Sequence, residues 1–186
     1  MIEQPIVETS RFLLRPLEKA DIPAVQKSAG ERKISDTMIS IPYPYPAGEA
    51  ERYVTRQLAE HEAGRVVTYI IEDKAIDRFC GLVEIREIDH EHMQAELSFW
   101  LGVDAWGQGC MSEILQPVVR YSFKGLGLNR LYAYSMLRNP ASGRVLEKNG
   151  FKQEGLLRQR VRKWNKFEDV ALWAILQQEW QDALGE

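Results

Sequence analysis

The run Glu96-Leu97-Ser98-Phe99-Trp100-Leu101 leads, after four residues, into Trp106-Gly107-Gln108-Gly109-Cys110-Met111-Ser112. A helical stripe at Ile114, Leu115, Val118, Val119, Ser122 and Phe123 follows. The three parts read as a short strand, a glycine turn and an amphipathic helix ended by Gly125 and Gly127. Glycines let several successive N–H groups point one way at the positive end of a helix dipole, which makes an anion site suited to a diphosphate. The same residues also suit a purely structural strand-to-helix turn. The turn lacks the Gly-Lys-Ser/Thr ending that holds nucleotide phosphates with Mg²⁺, and it lacks the three-glycine dinucleotide fingerprint, so nucleotide hydrolysis and Rossmann binding are set aside.

Working outward, the apolar run from Phe12 to Leu17 predicts a first strand. Asp21 as N-cap, Pro23 in the first turn and Gly30 as terminator predict a helix after it. Ile39-Ser40-Ile41-Pro42-Tyr43-Pro44-Tyr45-Pro46 has prolines at alternate positions and can be neither helix nor central strand, so an extended aromatic loop is expected. Tyr53, Val54, Leu58 and His61 share a stripe in a second helix over about 48–63. Runs at 66–71, 79–85 and 95–101 predict three strands in a meander. Pro117 falls inside the helix after the glycine turn, where proline costs about 3 kcal/mol, and predicts a kink. A strand over 131–137, a helix over 140–148 stopped by Asn149-Gly150, and strands over 151–176 turning near Trp164-Asn165-Lys166 complete an α/β chain.

At 186 residues with 45% hydrophobic and 27% charged residues, one globular domain spanning 1–186 is expected, with no internal repeat or linker. Twenty-seven acidic residues against 24 Lys and Arg give a net charge of -3, which disfavours a duplex-coating protein. The two cysteines, Cys80 and Cys110, are too few for a disulfide framework, and neither has a neighbouring His or Cys at metal-ligand spacing, so no metal is expected. The N-terminal residues have no apolar stretch of a leader and no run reaches membrane-span length, which fits a cytoplasmic protein with no membrane partner.

The ordered set of motifs resembles the GNAT superfamily of acyl-CoA-dependent N-acyltransferases, and within it the ribosomal-protein N-terminal acetyltransferases. The matching residues are Glu8-Thr9-Ser10-Arg11-Phe12-Leu13-Leu14-Arg15-Pro16-Leu17, Pro42-Tyr43-Pro44-Tyr45, Trp106-Gly107-Gln108-Gly109, Asn139-Pro140-Ala141-Ser142, Leu146-Glu147-Lys148-Asn149-Gly150-Phe151, Glu154-Gly155 and Asp169. They extend over about 8–176. Two positions depart: the family often has Arg or Gln at Trp106, and Gly or Ala at Met111.

The resemblance implies a mixed, mostly antiparallel sheet whose central strands splay apart, with helices on both faces and the pantetheine arm of acetyl-CoA inserted like an extra strand. Carried over by position, Trp100, Leu101 and Val103 offer backbone groups to the pantetheine. Gln108, Gly109, Cys110, Met111 and Ser112 supply N–H groups to the pyrophosphate, and Asn139 and Ser142 flank the arm near its thiol. The implied activity is transfer of an acetyl group to a primary amine by direct attack in a ternary complex, the expected acceptor being a protein N-terminal α-amine. A polyamine or aminoglycoside is the small-amine alternative, and a non-catalytic acyl-CoA-binding module is the third.

The chemistry of the residues is compatible with that placement. Acetyl transfer needs a neutral amine and a protonated leaving thiolate. Glu96 alternates with Leu97 and Phe99 and is the candidate base; a solvent-facing strand residue is the plainer reading. Ser142 is the candidate acid toward the thiolate, against a helix first-turn hydroxyl. Tyr43 and Tyr45 are the candidate acceptor contacts. His61 reads as a packed helix residue, His90 and His92 as a solvated turn, and Cys110 as a small packing residue. Arg158, Arg160 and Arg162 alternate, which on a strand puts them on one face. With Lys163 and Lys166 they form either a solvated edge or a contact for an anion, the 3′-phosphate of CoA or ribosomal RNA. A homodimer is one arrangement open to the chain.

Overall fold

The computed structural model describes residues 2–185. The packing divides the chain into two units. The first is the chain up to Glu87 together with Ser98–Cys110; the second is Ile88–Leu97 together with the chain from Met111 onward.

The first unit holds β1 (Val7–Glu8), β2 (Phe12–Pro16), β3 (Val67–Asp73), most of β4 (Arg78–Asp89) and the second half of β5 (Gln94–Leu101), adjacent in that order. β1 through β4 pair antiparallel. Three helices belong to it: α1 (Ile22–Ala29), α2 (Arg32–Thr37) and α3 (Glu49–Glu62). Leu17, Ile34, Val54, Ile70, Leu82 and Trp100 form one buried cluster within this unit, so α2 and α3 each contribute an apolar residue to the sheet's core.

Asp21 precedes α1 as expected, but its side chain does not cap it. Asp21 is buried and accepts a bidentate pair from Arg15 at 2.9 and 2.7 Å, while Arg15 Nε reaches Glu72 at 2.8 Å. A short aspartate that a guanidinium pins across β2 serves the buried ion pair instead of the helix.

β4 carries a bulge. Ile71 pairs with Gly81 and Glu72 with Phe79, leaving Cys80 as the extra residue. Gly81 has φ of 151°, and a Cβ there would run into the carbonyl oxygen of Trp100, so only glycine lets β4 approach β5 at this point. The Gly102 N–H donates to the Cys80 carbonyl at 2.7 Å and ties down the end of β5.

The second unit holds the first half of β5, then β6 (Arg130–Met136), β8 (Lys166–Leu176) and β7 (Lys152–Lys163) in spatial order, with β7 at the edge. β5 and β6 are parallel, and their ladder stops after three pairs, the last being Glu96 with Tyr132. β6–β8 and β8–β7 are antiparallel. α4 (Cys110–Lys124) runs unbroken through Pro117, and α5 (Pro140–Lys148) has the predicted bounds. α5 lies close to β8 because Gly143 leaves room for the Trp173 ring, where an added Cβ would sit 3.0 Å from it. α6 (Gln177–Leu184), β1 and α2 have no counterpart in the sequence reading.

The alternation of Arg158, Arg160 and Arg162 does not survive folding. Leu157 pairs with Val170 and Val161 with Glu168, so three residues of β7 face the single residue Asp169. Gln159 takes φ of 53° in this bulge, and its N–H donates to Asp169 Oδ1 at 2.8 Å. The three arginines therefore do not all share one face: the Arg162 pairing with Phe167 puts it on one side, while the Arg160 guanidinium stands over the Tyr134 ring at 5.9 Å on the other.

Candidate active site

The glycine turn lies where the sequence placed it. Gly107 and Gly109 have φ of 72° and 71°, and nothing would meet a Cβ at either, so the turn opens away from packed atoms. The N–H groups from Gly107 to Ser112 donate to no acceptor among the described residues. The first-turn amides of α4 lack intrahelical partners by construction, and the turn adds to them a run of further donors. Such a run is what a diphosphate requires. Cys110 and Met111 have buried side chains and Ser112 a half-buried one. Cys110 and Met111 thus offer backbone only. Arg11, which the sequence reading gave no role, donates to the Gln108 carbonyl at 3.1 Å, and Gln108 Nε2 donates to the Asp104 carbonyl at 2.8 Å. A cavity of about 470 Å³ beside the turn is lined by Arg11, Phe12, Phe79, Cys80, Gln108 and Cys110, among others.

The expected backbone offer of Trp100, Leu101 and Val103 is partly taken up inside the protein. The Leu101 carbonyl accepts the Trp106 indole N–H at 2.8 Å, and the Val103 carbonyl accepts the Trp106 backbone N–H at 3.1 Å. Trp106, one of the two departures from the family pattern, thus anchors the turn to the end of β5. Trp100 is buried, its ring 5.8 Å from that of Phe79.

A second cavity of the first unit, about 120 Å³, is lined by Ile41, Tyr45, Glu49, Tyr53, Arg56, Leu82, Glu84, Arg86 and Trp100 together with Val25, Ala29 and Met38. Tyr45 faces it, whereas Tyr43 does not line it; Tyr43 is 42% exposed with the Arg32 guanidinium 5.7 Å from its ring. Glu84 is buried at 5% exposure, and Tyr53 Oη donates to its Oε1 at 2.8 Å. Burial, with the Glu84 charge beside it, pushes the Tyr53 phenol well above the ordinary tyrosine value, so it stays protonated and remains a donor. Burial and then Glu49 raise Tyr45 as well. Glu84 carries no mark in the sequence, because a carboxylate within an apolar strand reads as outward-facing until the helix covering it is known. Tyr53 was legible as a helix-stripe residue but not as the partner of a carboxylate.

In the second unit, Glu96 is buried at 5% exposure, which removes the solvent-facing reading. It stands at the last pair before the β5–β6 ladder ends. Asn139, the residue before α5, does not cap the helix backbone but donates from Nδ2 to Ser142 Oγ at 2.8 Å. That bond uses Ser142 as acceptor, and the Ser142 hydroxyl proton has no acceptor among the described residues. Trp173 Nε1 donates to Ser135 Oγ at 2.9 Å beneath α5. Among the described residues no three side chains are grouped to hold a metal ion, and no helix is long and apolar enough to cross a membrane.

A mixed sheet whose parallel pair β5–β6 parts after three residues, with an amide-rich glycine turn opening the following helix, suits an acyl-CoA-dependent transferase. The family model described as an acetyltransferase (GNAT) domain matches residues 11–152, and the chain belongs to that family. It is 27% identical over 168 residues to the spermidine N(1)-acetyltransferase of Vibrio cholerae, covering 90% of this chain and 94% of the relative. It is 29% identical over 114 residues to the ribosomal-protein-serine acetyltransferase of Escherichia coli, 61% of this chain and 63% of that one. The crystal structure of the Vibrio cholerae spermidine N-acetyltransferase in complex with CoA and spermine superposes with a TM-score of 0.82 at 25% identity, over 92% of this chain and 99% of that one. The protein is an acetyl-CoA-dependent N-acetyltransferase.

Proposed function

We propose that the acceptor is the α-amine of a protein N-terminus bearing a small first side chain, and that the cavity around Glu84 receives it. The charge balance of that cavity carries the reading. Its two carboxylates, Glu49 and Glu84, are matched by two guanidinium groups, Arg56 and Arg86. Glu49 is further paired with Arg52 at 2.6 Å. A polyamine presents several cations and needs several uncompensated carboxylates along its length; one buried carboxylate beside Tyr45 and Trp100 suits a single amine. A cavity of about 120 Å³ accommodates that amine with a residue such as serine or alanine. An N-terminal amine has an ordinary pKa near 8 and is already partly neutral at cellular pH, so a modest base suffices.

Glu96 is the proposed base for the acceptor amine, directly or through water, as the new C–N bond forms. Ser142, its oxygen lone pair engaged by Asn139, directs its proton to the sulfur as the C–S bond breaks. The amides from Gln108 to Ser112 hold the pyrophosphate of acetyl-CoA, and acetyl-CoA supplies the thioester. The spermidine-named Vibrio cholerae relative favours a second reading, a small polyamine as acceptor. Free-thiol release from acetyl-CoA, measured with serine- and alanine-starting peptides, spermidine and an aminoglycoside, decides between them. The peptides are expected to give the highest kcat/KM. A higher value with spermidine overturns the charge-balance argument.

A further inference from the structure

We propose that the tip of the β7–β8 ribbon binds an unpaired loop of RNA, with the cations of the ribbon on phosphates and Trp164 stacked on a base. The ladder between β8 and β6 ends at Val170, so from 158 to 168 the two strands pair as a ladder only with each other, with Leu137 N–H on the Asp169 carbonyl at 3.1 Å, the Arg138–Glu168 ion pair and the Arg160–Tyr134 contact at their base. Arg158, Arg160, Arg162 and Lys166 are exposed, and none forms an ion pair with a carboxylate among the described residues. The acidic residues of the ribbon are already engaged: Glu154 by Arg130, Glu168 by Arg138 at 3.2 Å, and Asp169 by the Gln159 N–H. Four uncompensated cations in nine residues, on a chain of net charge -3, are a concentrated departure from the rest of the surface.

The bulge at Gln159 distributes these cations over both faces of the ribbon, as the placements of Arg160 and Arg162 show. A solvated edge needs no such arrangement, and a flat acidic protein surface would engage only one face. A folded nucleic-acid strand offers phosphates on either side of an inserted ribbon. The turn supplies the second observation. Trp164 and Asn165 both take left-handed backbone, φ of 49° and 61°, in the two-residue connection between Lys163 and Lys166. Asparagine tolerates that region, whereas a tryptophan rarely adopts it; the indole is 38% exposed at the end of the ribbon, with Lys163 Nζ 5.2 Å from its ring centroid. Phe167, 64% exposed, lies opposite Arg162. Exposed aromatics interleaved with arginines that no carboxylate neutralises are a means by which proteins hold unstacked bases, which RNA loops present and duplex DNA does not.

The test is fluorescence anisotropy of a labelled RNA stem-loop with the full chain, read independently of acetyl transfer so that it stands apart from the acceptor assignment. With four phosphate contacts, affinity is expected to fall about 50- to 150-fold between 50 and 200 mM salt. Arg158→Glu, Arg160→Glu and Arg162→Glu together should abolish binding, and Trp164→Ala should weaken it about tenfold or more while retaining the salt slope. Peptide turnover should be unchanged in both. If the charge reversal disturbs folding, Arg160→Gln with Arg162→Gln gives the same comparison. Binding that survives these changes overturns the proposal, as does equal affinity for a blunt DNA duplex. Tighter binding to an acidic polypeptide than to RNA, or a change in the sedimentation mass of the protein alone on charge reversal, reassigns the ribbon to a protein or self interface and also overturns it.

Discussion

Glu84 and Glu96 are both buried carboxylates, and the roles proposed for them separate in a kinetic experiment. Glu96→Gln should lower kcat about 10²–10⁴-fold at neutral pH with acetyl-CoA affinity retained, as loss of a general base does. Glu84→Gln keeps the shape and the Tyr53 hydrogen bond but removes the charge, so it should raise the acceptor KM with a smaller effect on kcat. Equal effects of both on kcat would assign proton transfer to the two together. Glu96 was singled out in sequence because its strand leads toward the glycine turn, and the structure shows it buried. Glu84 was not, since only the covering of β4 by α3 shows that it faces a cavity. Tyr43 and Tyr45 illustrate the same boundary: alternation around Pro44 marked both, and only Tyr45 reaches the cavity lining.

At the level of elements, the strand, turn and helix from Glu96 to Phe123 were readable because glycine, apolar alternation and helical stripe agree locally. The turn makes a direct prediction. Gly109→Glu places a carboxylate and a Cβ on left-handed backbone among the open amides, and calorimetry should show acetyl-CoA affinity falling strongly; unchanged affinity removes the turn from the cofactor site. The bulge at Cys80 was invisible in sequence, because a register shift depends on the partner strand. Its companion, Gly81, predicts the stability cost: Gly81→Ala forces a methyl into the Trp100 carbonyl and should cost more than about 2 kcal/mol in a denaturant titration. A loss below about 0.5 kcal/mol would mean that β4 can withdraw from β5. The arginine alternation on β7 misled for the same reason as the Cys80 bulge escaped notice: period-two reasoning holds only where a strand has no extra residue.

For the molecule as a whole, the order of motifs carried the family assignment, whereas the proposed acceptor rests on the charges that meet around one small cavity. The ribbon adds a consequence for how the native chain resists cleavage. From 158 to 166 five peptide bonds follow Arg or Lys, and the segment is hydrogen-bonded to β8 alone at an edge. Only Lys163 of this segment is buried, so local opening there costs far less than global unfolding. Limited trypsin digestion under native conditions should therefore nick this segment first, well before the cationic sites of α3 or β6, with the cut located by mass spectrometry. An initial cut elsewhere would show that the ribbon is held more firmly than its ladder alone accounts for. A clean nick would yield a two-piece enzyme whose remaining turnover on a short peptide reports how far catalysis depends on the arm.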